Sequence, residues 1–139
     1  MNNAQLSVSD ETIILVVSGQ GQLRNRFTQI LADLDVTVVT VADGFEALDM
    51  MRNTKITAIL SDFGLPGMDA LELFLRTKEL MFNVPFVICS NYINSRSRDE
   101  ALKVGVMKVL KGPSAKSEII SVIHEAIEER QRQLLQFFC

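Results

Sequence analysis

The chain has 139 residues, of which 47% are hydrophobic and 22% are charged, with a formal net charge of −3 and a pI near 5.1. This length fits one domain with a single core, and the apolar fraction is too high for a disordered chain. The acidic balance argues against the broad basic surface that binds nucleic acid or anionic membranes, so neither kind of partner is expected.

Residues 1–11 are polar and lack the cationic and apolar segments of a signal peptide. No apolar run approaches the roughly 20 residues that cross a bilayer. Both features favour a cytoplasmic location. The two cysteines, Cys89 and Cys139, form neither a disulfide framework nor a metal-binding spacing, and Cys89 is interpreted as a core residue. His124 falls in a helical pattern and has no evident partner.

Short apolar runs alternate with stretches of helical periodicity along the whole chain. The runs are rich in β-branched residues and predict buried strands at 13–17, 36–41, 56–60, 85–89 and 106–110. Apolar residues at three- and four-residue spacing predict helices at about 23–34, 45–51, 69–81, 97–104 and 115–138. Asp69 is predicted to cap the third helix, and Gly105 to end the fourth.

Five strands alternating with five helices predict an α/β fold, in which helices cover both faces of a parallel sheet. The crossover rule and the common five-stranded orders favour a flavodoxin-like, doubly wound sheet of order 2-1-3-4-5. In such a sheet the carboxyl ends of strands one and three lie side by side and form the ligand crevice. Asp62 follows the third strand there, facing the turn after Val17, and is the first candidate for a functional side chain.

The chain resembles the receiver domain of response regulators over residues 12–128. The segments that carry the resemblance agree with that family in order and spacing, and they are 14–17, 42–48, 62–69, 85–90 and 101–110. The resemblance implies two-component signalling, in which a histidine kinase transfers a phosphoryl group to the aspartate that matches Asp62. It also implies a magnesium ion held by an acidic pair after strand one, and a hydroxyl and a lysine that contact the phosphoryl group.

The metal-binding positions depart from the family pattern. A carboxylate that attacks a phosphoryl group brings negative charges together, so a cation is needed to offset the repulsion. The acidic pair falls on Ser18 and Gly19, which carry no charge, so Asp62 and the carbonyl of Gly64 remain as candidate ligands. We therefore expect weak magnesium binding or none, and no other cofactor.

The phosphoryl-contact positions depart as well. Ser90 matches the hydroxyl, but Asn91 follows it where receivers usually have a small residue. The lysine position falls on Gly112, and Lys111 lies one residue early, where strand alternation directs it to the other face unless a bulge redirects it. The aromatic switch position matches Val109, which cannot make the rotamer change tied to activation.

These departures favour a degenerate member of the family, a pseudo-receiver. Such a domain acts mainly as a protein-interaction module, with impaired magnesium-dependent phosphotransfer and no enzymatic activity. One alternative keeps Asp62 as a working phosphoacceptor of a histidine kinase. An alternative of another class is nucleotide binding at the turn 18–21, with Asp43 at a suitable distance for a ribose hydroxyl, although Arg24 replaces the third glycine of that fingerprint.

The last helix is longer than the domain needs, at about 36 Å if it continues to Phe138. We divide the chain into a polar tail at 1–11, a receiver-like domain at 12–128 and an extension of the last helix at 129–139. The resemblance implies a second copy, a histidine kinase or an output domain at helix four, strand five and helix five. The candidate interface residues are Val109, Ile123, Ile127, Leu134 and Phe137.

Overall fold

Five parallel strands form the central sheet of the computed structural model, which describes residues 11–112 and 114–138. The strands are β1 (Ile13–Val17), β2 (Thr37–Val41), β3 (Ala58–Ser61), β4 (Phe86–Ser90) and β5 (Lys108–Lys111). They lie in the order β2-β1-β3-β4-β5, and every neighbouring pair is parallel. The predicted α/β class and the predicted strand order are therefore confirmed.

Five helices connect and follow the strands, as the periodicity predicts. They are α1 (Gly21–Leu31), α2 (Gly44–Asn53), α3 (Ala70–Glu79), α4 (Ser95–Val104) and α5 (Lys116–Phe138). The fifth strand begins at Lys108 and not at residue 106, because the amide of Val106 still bonds the carbonyl of Ala101 at the end of α4. Within the described residues, no helix combines the length and apolar character needed to cross a membrane.

A short antiparallel hairpin follows β3 and pairs Gly64–Leu65 with Met68–Asp69. The sequence did not predict it, because strands of two residues carry no periodicity. Its turn has Pro66 and then Gly67, which has φ +80°. Proline followed by a glycine with positive φ is the arrangement of a type II turn. The hairpin places the Pro66 ring above the carboxyl end of the sheet, against Gly19.

The strands bury side chains on both faces of the sheet, which explains why they read as continuous apolar runs. One core lies between the sheet and helices α2, α3 and α4, and its strand residues include Leu15, Val17, Ile59, Ile88 and Val109. The other core lies between the sheet and helices α1 and α5, and its strand residues include Ile14, Val16, Leu60, Val87 and Leu110. This alternation fixes which way each residue at the end of a strand points.

Three helices begin with the same cap, a side-chain oxygen that accepts the amide three residues later. Asp69 accepts from the amide of Glu72 at 2.8 Å, which confirms its predicted role at the start of α3. Asp43 caps α2 and Asn94 caps α4 at the same distance. Gly105 ends α4 with φ +119°, also as predicted.

Candidate functional site

Asp62 lies at the carboxyl end of β3, in the crevice where the strand order reverses. Its amide donates to the carbonyl of Val17 at 2.9 Å, which ties it to the end of β1. The residue is only 5% exposed, and its Oδ1 accepts the amide of Phe63 at 2.8 Å. The backbone therefore fixes this carboxylate beside the turn that follows β1, as the sequence predicts.

The turn after β1 is closed by its own hydrogen bonds. Ser18 is fully buried, and its Oγ accepts the amide of Gln20 at 3.1 Å. The guanidinium of Arg24 donates through Nη1 to the carbonyl of Ser18 at 2.7 Å. This turn therefore carries a fixed positive charge beside the position of the expected acidic pair.

Gly19 is covered by the ring of Pro66 from the hairpin. A Cβ at residue 19 would lie 2.8 Å from Pro66 Cδ, closer than real Cβ contacts, and 3.0 Å from Cγ, at the tight end of such contacts. The φ of Gly19 lies outside the left-handed range, so the backbone itself does not require glycine here. The proline ring thus takes the space into which an acidic side chain at this position would extend.

Ser90 and Gly112 meet at the other side of the crevice. Ser90 is 3% exposed and its Oγ accepts the amide of Tyr92 at 3.2 Å, while its carbonyl accepts the amide of Gly112 at 2.9 Å. A Cβ at Gly112 would overlap Oδ1 of Asn91. The side-chain amide of Asn91 therefore occupies the space that a lysine at residue 112 would need. Because the Asn91 side chain is exposed and can rotate, it can move away.

Lys111 pairs with Ser90 in an unbroken parallel register, so no bulge redirects its side chain. Strand alternation places Lys111 on the face of Val109, the face that α2, α3 and α4 cover. The side chain is exposed, and the described ion pairs within 4.0 Å include neither Lys111 nor Asp62. The structure therefore brings Asp62, Ser18 and Ser90 to one edge without joining Lys111 to Asp62.

Comparison with known proteins identifies the family. The model of the response regulator receiver domain family matches residues 14–124. The chain belongs to this family. This receiver domain is 32% identical over 91 residues to the uncharacterized transcriptional regulatory protein YesN of Bacillus subtilis, which covers 66% of the chain and 25% of YesN. It is 26% identical over 121 residues to the DNA-binding transcriptional regulator NtrC of Escherichia coli, covering 87% of the chain and 26% of NtrC.

The chain therefore spans about a quarter of the length of these two curated relatives. Among solved structures, a CheY-like response regulator receiver domain protein from Methanospirillum hungatei superimposes with a TM-score of 0.82 at 21% identity. That superposition covers 89% of this chain and 99% of the other. At this identity the likeness shows the fold, and the family model shows the membership in two-component signalling.

The donor atoms at the receiver crevice differ from those of a typical magnesium site. Magnesium prefers six oxygen ligands and is usually held through carboxylates. Within residues 11–112 and 114–136, no three His, Cys, Asp or Glu side chains gather closely enough to hold a metal ion. Asp62 is the carboxylate that directly follows β3 at this edge, and the Ser18 hydroxyl already accepts a backbone amide. The residues present do not fit the family's magnesium site.

Two residues of the site were missed in the sequence analysis, namely the crevice roles of Arg24 and Pro66. Arg24 was read only as an interruption of a glycine fingerprint. The sequence pattern assigns no contact to Pro66. Arg24 contacts Ser18, and Pro66 packs on Gly19, so each lies at one of the altered acidic positions. Local periodicity cannot predict these contacts.

At the turn 18–21, where the nucleotide alternative places its ligand, polar groups already have hydrogen-bond partners in the chain. The amide of Gln20 donates to Ser18 within the turn, and the carbonyl of Ser18 accepts from Arg24 on α1. Asp43, the candidate ribose ligand, uses its carboxylate to cap α2.

Cys89 is buried on β4, as expected of a core residue. Its Sγ lies 3.9 Å from the Oγ of Ser114. Burial raises the pKa of the Cys89 thiol above its ordinary value, because a thiolate would lose its hydration there. His124 is exposed on α5.

The candidate interface residues differ in accessibility. Ile123 is fully buried and Val109 is 9% exposed, so both belong to the cores of the domain and present little surface to a partner. Ile127 is half-buried against the same core as Ile123. Leu134 is 44% exposed, while the side chain of Phe137 lies outside the described residues.

Proposed function

We propose that this receiver domain acts mainly as a protein-interaction module, with impaired magnesium-dependent phosphotransfer at Asp62. The observation that carries the proposal is the packing of the Pro66 ring on Gly19, because it fills the space of a missing metal-binding carboxylate. An aspartate at residue 19 would therefore require the hairpin or the turn after β1 to shift.

Electrostatics support the same proposal. Transfer of a phosphoryl group to Asp62 needs positive charge to offset the repulsion between the carboxylate and the phosphoryl oxygens. In this chain the guanidinium of Arg24 is held by the carbonyl of Ser18, and Lys111 lies on the face of Val109. Neither cation stands where the family places its lysine, which is the position of Gly112. We infer that the main role of Asp62 is structural and that phosphotransfer to it is impaired.

The partners we propose follow from the family. Receiver domains interact with histidine kinases and with output domains, and the chain covers only about a quarter of two regulators that it resembles. We propose a protein partner or a second copy at the surface of α4, β5 and α5. A cytoplasmic location and the absence of an enzymatic activity of its own belong to the same proposal.

Intact-mass measurement tests the proposal. The protein is incubated with magnesium and acetyl phosphate, beside an Asp62→Asn control. We expect no single-phosphoryl adduct on the wild-type chain, because the metal and the lysine positions are altered. An adduct that forms on the wild type and disappears in Asp62→Asn would instead support the working phosphoacceptor.

Repair of the crevice gives a positive control for this experiment. The variant carries Gly19→Asp and Gly112→Lys, which restore the acidic residue and the lysine. It also carries Pro66→Ala and Asn91→Ala, which remove the side chains that would clash with them. We expect this variant to bind magnesium and beryllofluoride more tightly than the wild type. A wild-type chain that binds beryllofluoride as tightly as the repaired variant would contradict the proposal.

A further inference from the structure

A second cleft lies at the opposite edge of the sheet, near the amino ends of β3 and β4. Its volume is about 440 Å³, and it is formed by the connection from α2 to β3, the connection from α3 to β4, and helix α5. Pockets of roughly 300–1,000 Å³ are the usual size for small-molecule ligands. This cleft is far along the strands from Asp62, so it is independent of the function proposed for that edge.

The cleft is positively charged in a chain whose net charge is −3. Arg52, Lys55 and Arg130 line it, and the described lining includes no aspartate or glutamate. Arg52 pairs with Asp49 at 3.1 Å, but both side chains are more than half exposed, so the pair is weak. Among the described residues, Lys55 and Arg130 have no carboxylate within 4.0 Å.

Arg130 is held in place at the cleft. Its Nη1 donates to the carbonyl of Asn83 at 2.7 Å, which ties α5 to the connection before β4. Within the described residues, the hydrogen bonds of its side chain use Nη1 alone. The donors on Nε and Nη2 therefore remain for a ligand, and a planar guanidinium suits a phosphate or a carboxylate.

Apolar residues also line the cleft, beside the polar side chains of Asn53, Thr54 and Asn83. Met51 and Ile56 are buried, at 6% and 4% exposed, and Phe82 and Val84 are half-buried beside them. A hydrated inorganic ion gains no contact from the apolar part of this surface. A ligand with an apolar body next to its anionic group would contact both parts of the cleft.

Met81 at the rim has an unusual backbone and an unusual exposure. It is the non-glycine residue with positive φ, at +62°, among those described, and it is 87% exposed. The amide of Phe82 bonds the carbonyl of Thr77, and the amide of Met81 bonds that of Lys78, which together form a Schellman motif at the end of α3. Glycine is the usual residue at this position, so methionine carries backbone strain and exposes apolar surface.

We propose that this cleft binds a small organic anion, in which a phosphate or carboxylate is joined to a flat apolar body of about nucleoside size. Arg130 and Lys55 contact the anionic group. Met81 covers the body, since a thioether packs well on aromatic rings. Contact with the ligand then accounts for a strained methionine at this position.

Amide NMR titrations of the full chain test the proposal. The probes are guanosine monophosphate, indole-3-acetate, guanosine and inorganic phosphate. We expect saturable shifts of the amides at 51–56 and 81–84 with at least one of the two amphipathic anions. Guanosine and phosphate alone should bind at least about tenfold more weakly, because each contacts only one part of the cleft. A preference between the two anions distinguishes phosphate from carboxylate ligands.

Variants separate binding from folding. Lys55→Gln and Met81→Gly should each weaken binding about fivefold. Glycine suits the backbone of residue 81, so Met81→Gly should also raise the unfolding temperature, which excludes misfolding as the cause of lost affinity. Lys108→Gln, on a strand away from the cleft, is the matched control and should change nothing. Absence of saturable binding by both anions, unchanged affinity in both variants, or equal binding of phosphate alone would overturn the proposal.

Discussion

Single residues determine what the receiver crevice can hold, and Gly19 gives the sharpest test. In Gly19→Ala the added Cβ would lie 2.8 Å from Pro66 Cδ. A proline ring has no rotamer by which to move aside, so the hairpin or the turn must shift. We expect Gly19→Ala to lower the free energy of unfolding by about 1–3 kcal/mol, as overpacking does. Urea denaturation measures the change.

The control for this prediction is Gly64→Ala in the neighbouring hairpin. A Cβ at residue 64 would meet no atom within 4 Å, and its φ also lies outside the left-handed range. Alanine there should leave stability unchanged or raise it by about 0.4–1 kcal/mol. Adding Pro66→Ala to Gly19→Ala should recover part of the loss. Equal stability of the two single variants would show that the ring does not restrict residue 19.

The sequence could place Asp62, Ser18 and Ser90 at one edge, because a parallel sheet gathers the ends of its strands. It could not show that Pro66 fills the space above Gly19. That contact depends on a two-residue hairpin whose turn aims a ring back at β1. The sequence also could not show that Ile123 is fully buried, because helical spacing alone does not distinguish a face that packs on the core from one that binds a partner.

Among the elements, α3 depends on a cap that also fixes the hairpin. Asp69 accepts the amide of Glu72 at 2.8 Å and pairs with Gly64, while the amide of Ala70 bonds the carbonyl of Phe63. Asp69→Ala removes the acceptor and should lower the free energy of unfolding by about 1 kcal/mol. Urea denaturation measures it, with Asp69→Ser as the control that keeps an acceptor. If alanine and serine are equivalent, the cap contributes nothing.

Elements with strong periodicity were predictable, whereas those defined by contacts were not. Each of the five strands and five helices lies near its predicted position. Strands that are buried on both faces of the sheet consist mainly of apolar residues, so they appear in the sequence as apolar runs. The bounds differ by a few residues where the end of a helix binds a backbone amide that was predicted to belong to a strand. At Val106, for example, the amide donates to the carbonyl of Ala101 in α4. The two-residue strands of the hairpin are too short to show a periodic pattern. The Schellman motif was not predictable, because methionine stands at residue 81 where glycine is usual.

For the whole molecule, the long α5 raises the question of self-association. Its 23 residues span about 35 Å, and Leu134 and Leu135 near its end are 44% and 65% exposed. An exposed apolar pair near the end of a long helix favours a partner helix, and a second copy supplies one. This surface is accessible, in contrast to Ile123.

We expect the full chain to form a dimer in light scattering at micromolar concentration, and Leu134→Glu to be monomeric, because a charge would be buried in the interface. Leu75→Glu is the matched control, since Leu75 is also 44% exposed but lies on α3. It should remain dimeric. Equal masses for the wild type and Leu134→Glu would remove the second copy as the partner of this helix. Loss of the dimer in both variants would place the interface across α3 as well, away from the surface of α4, β5 and α5.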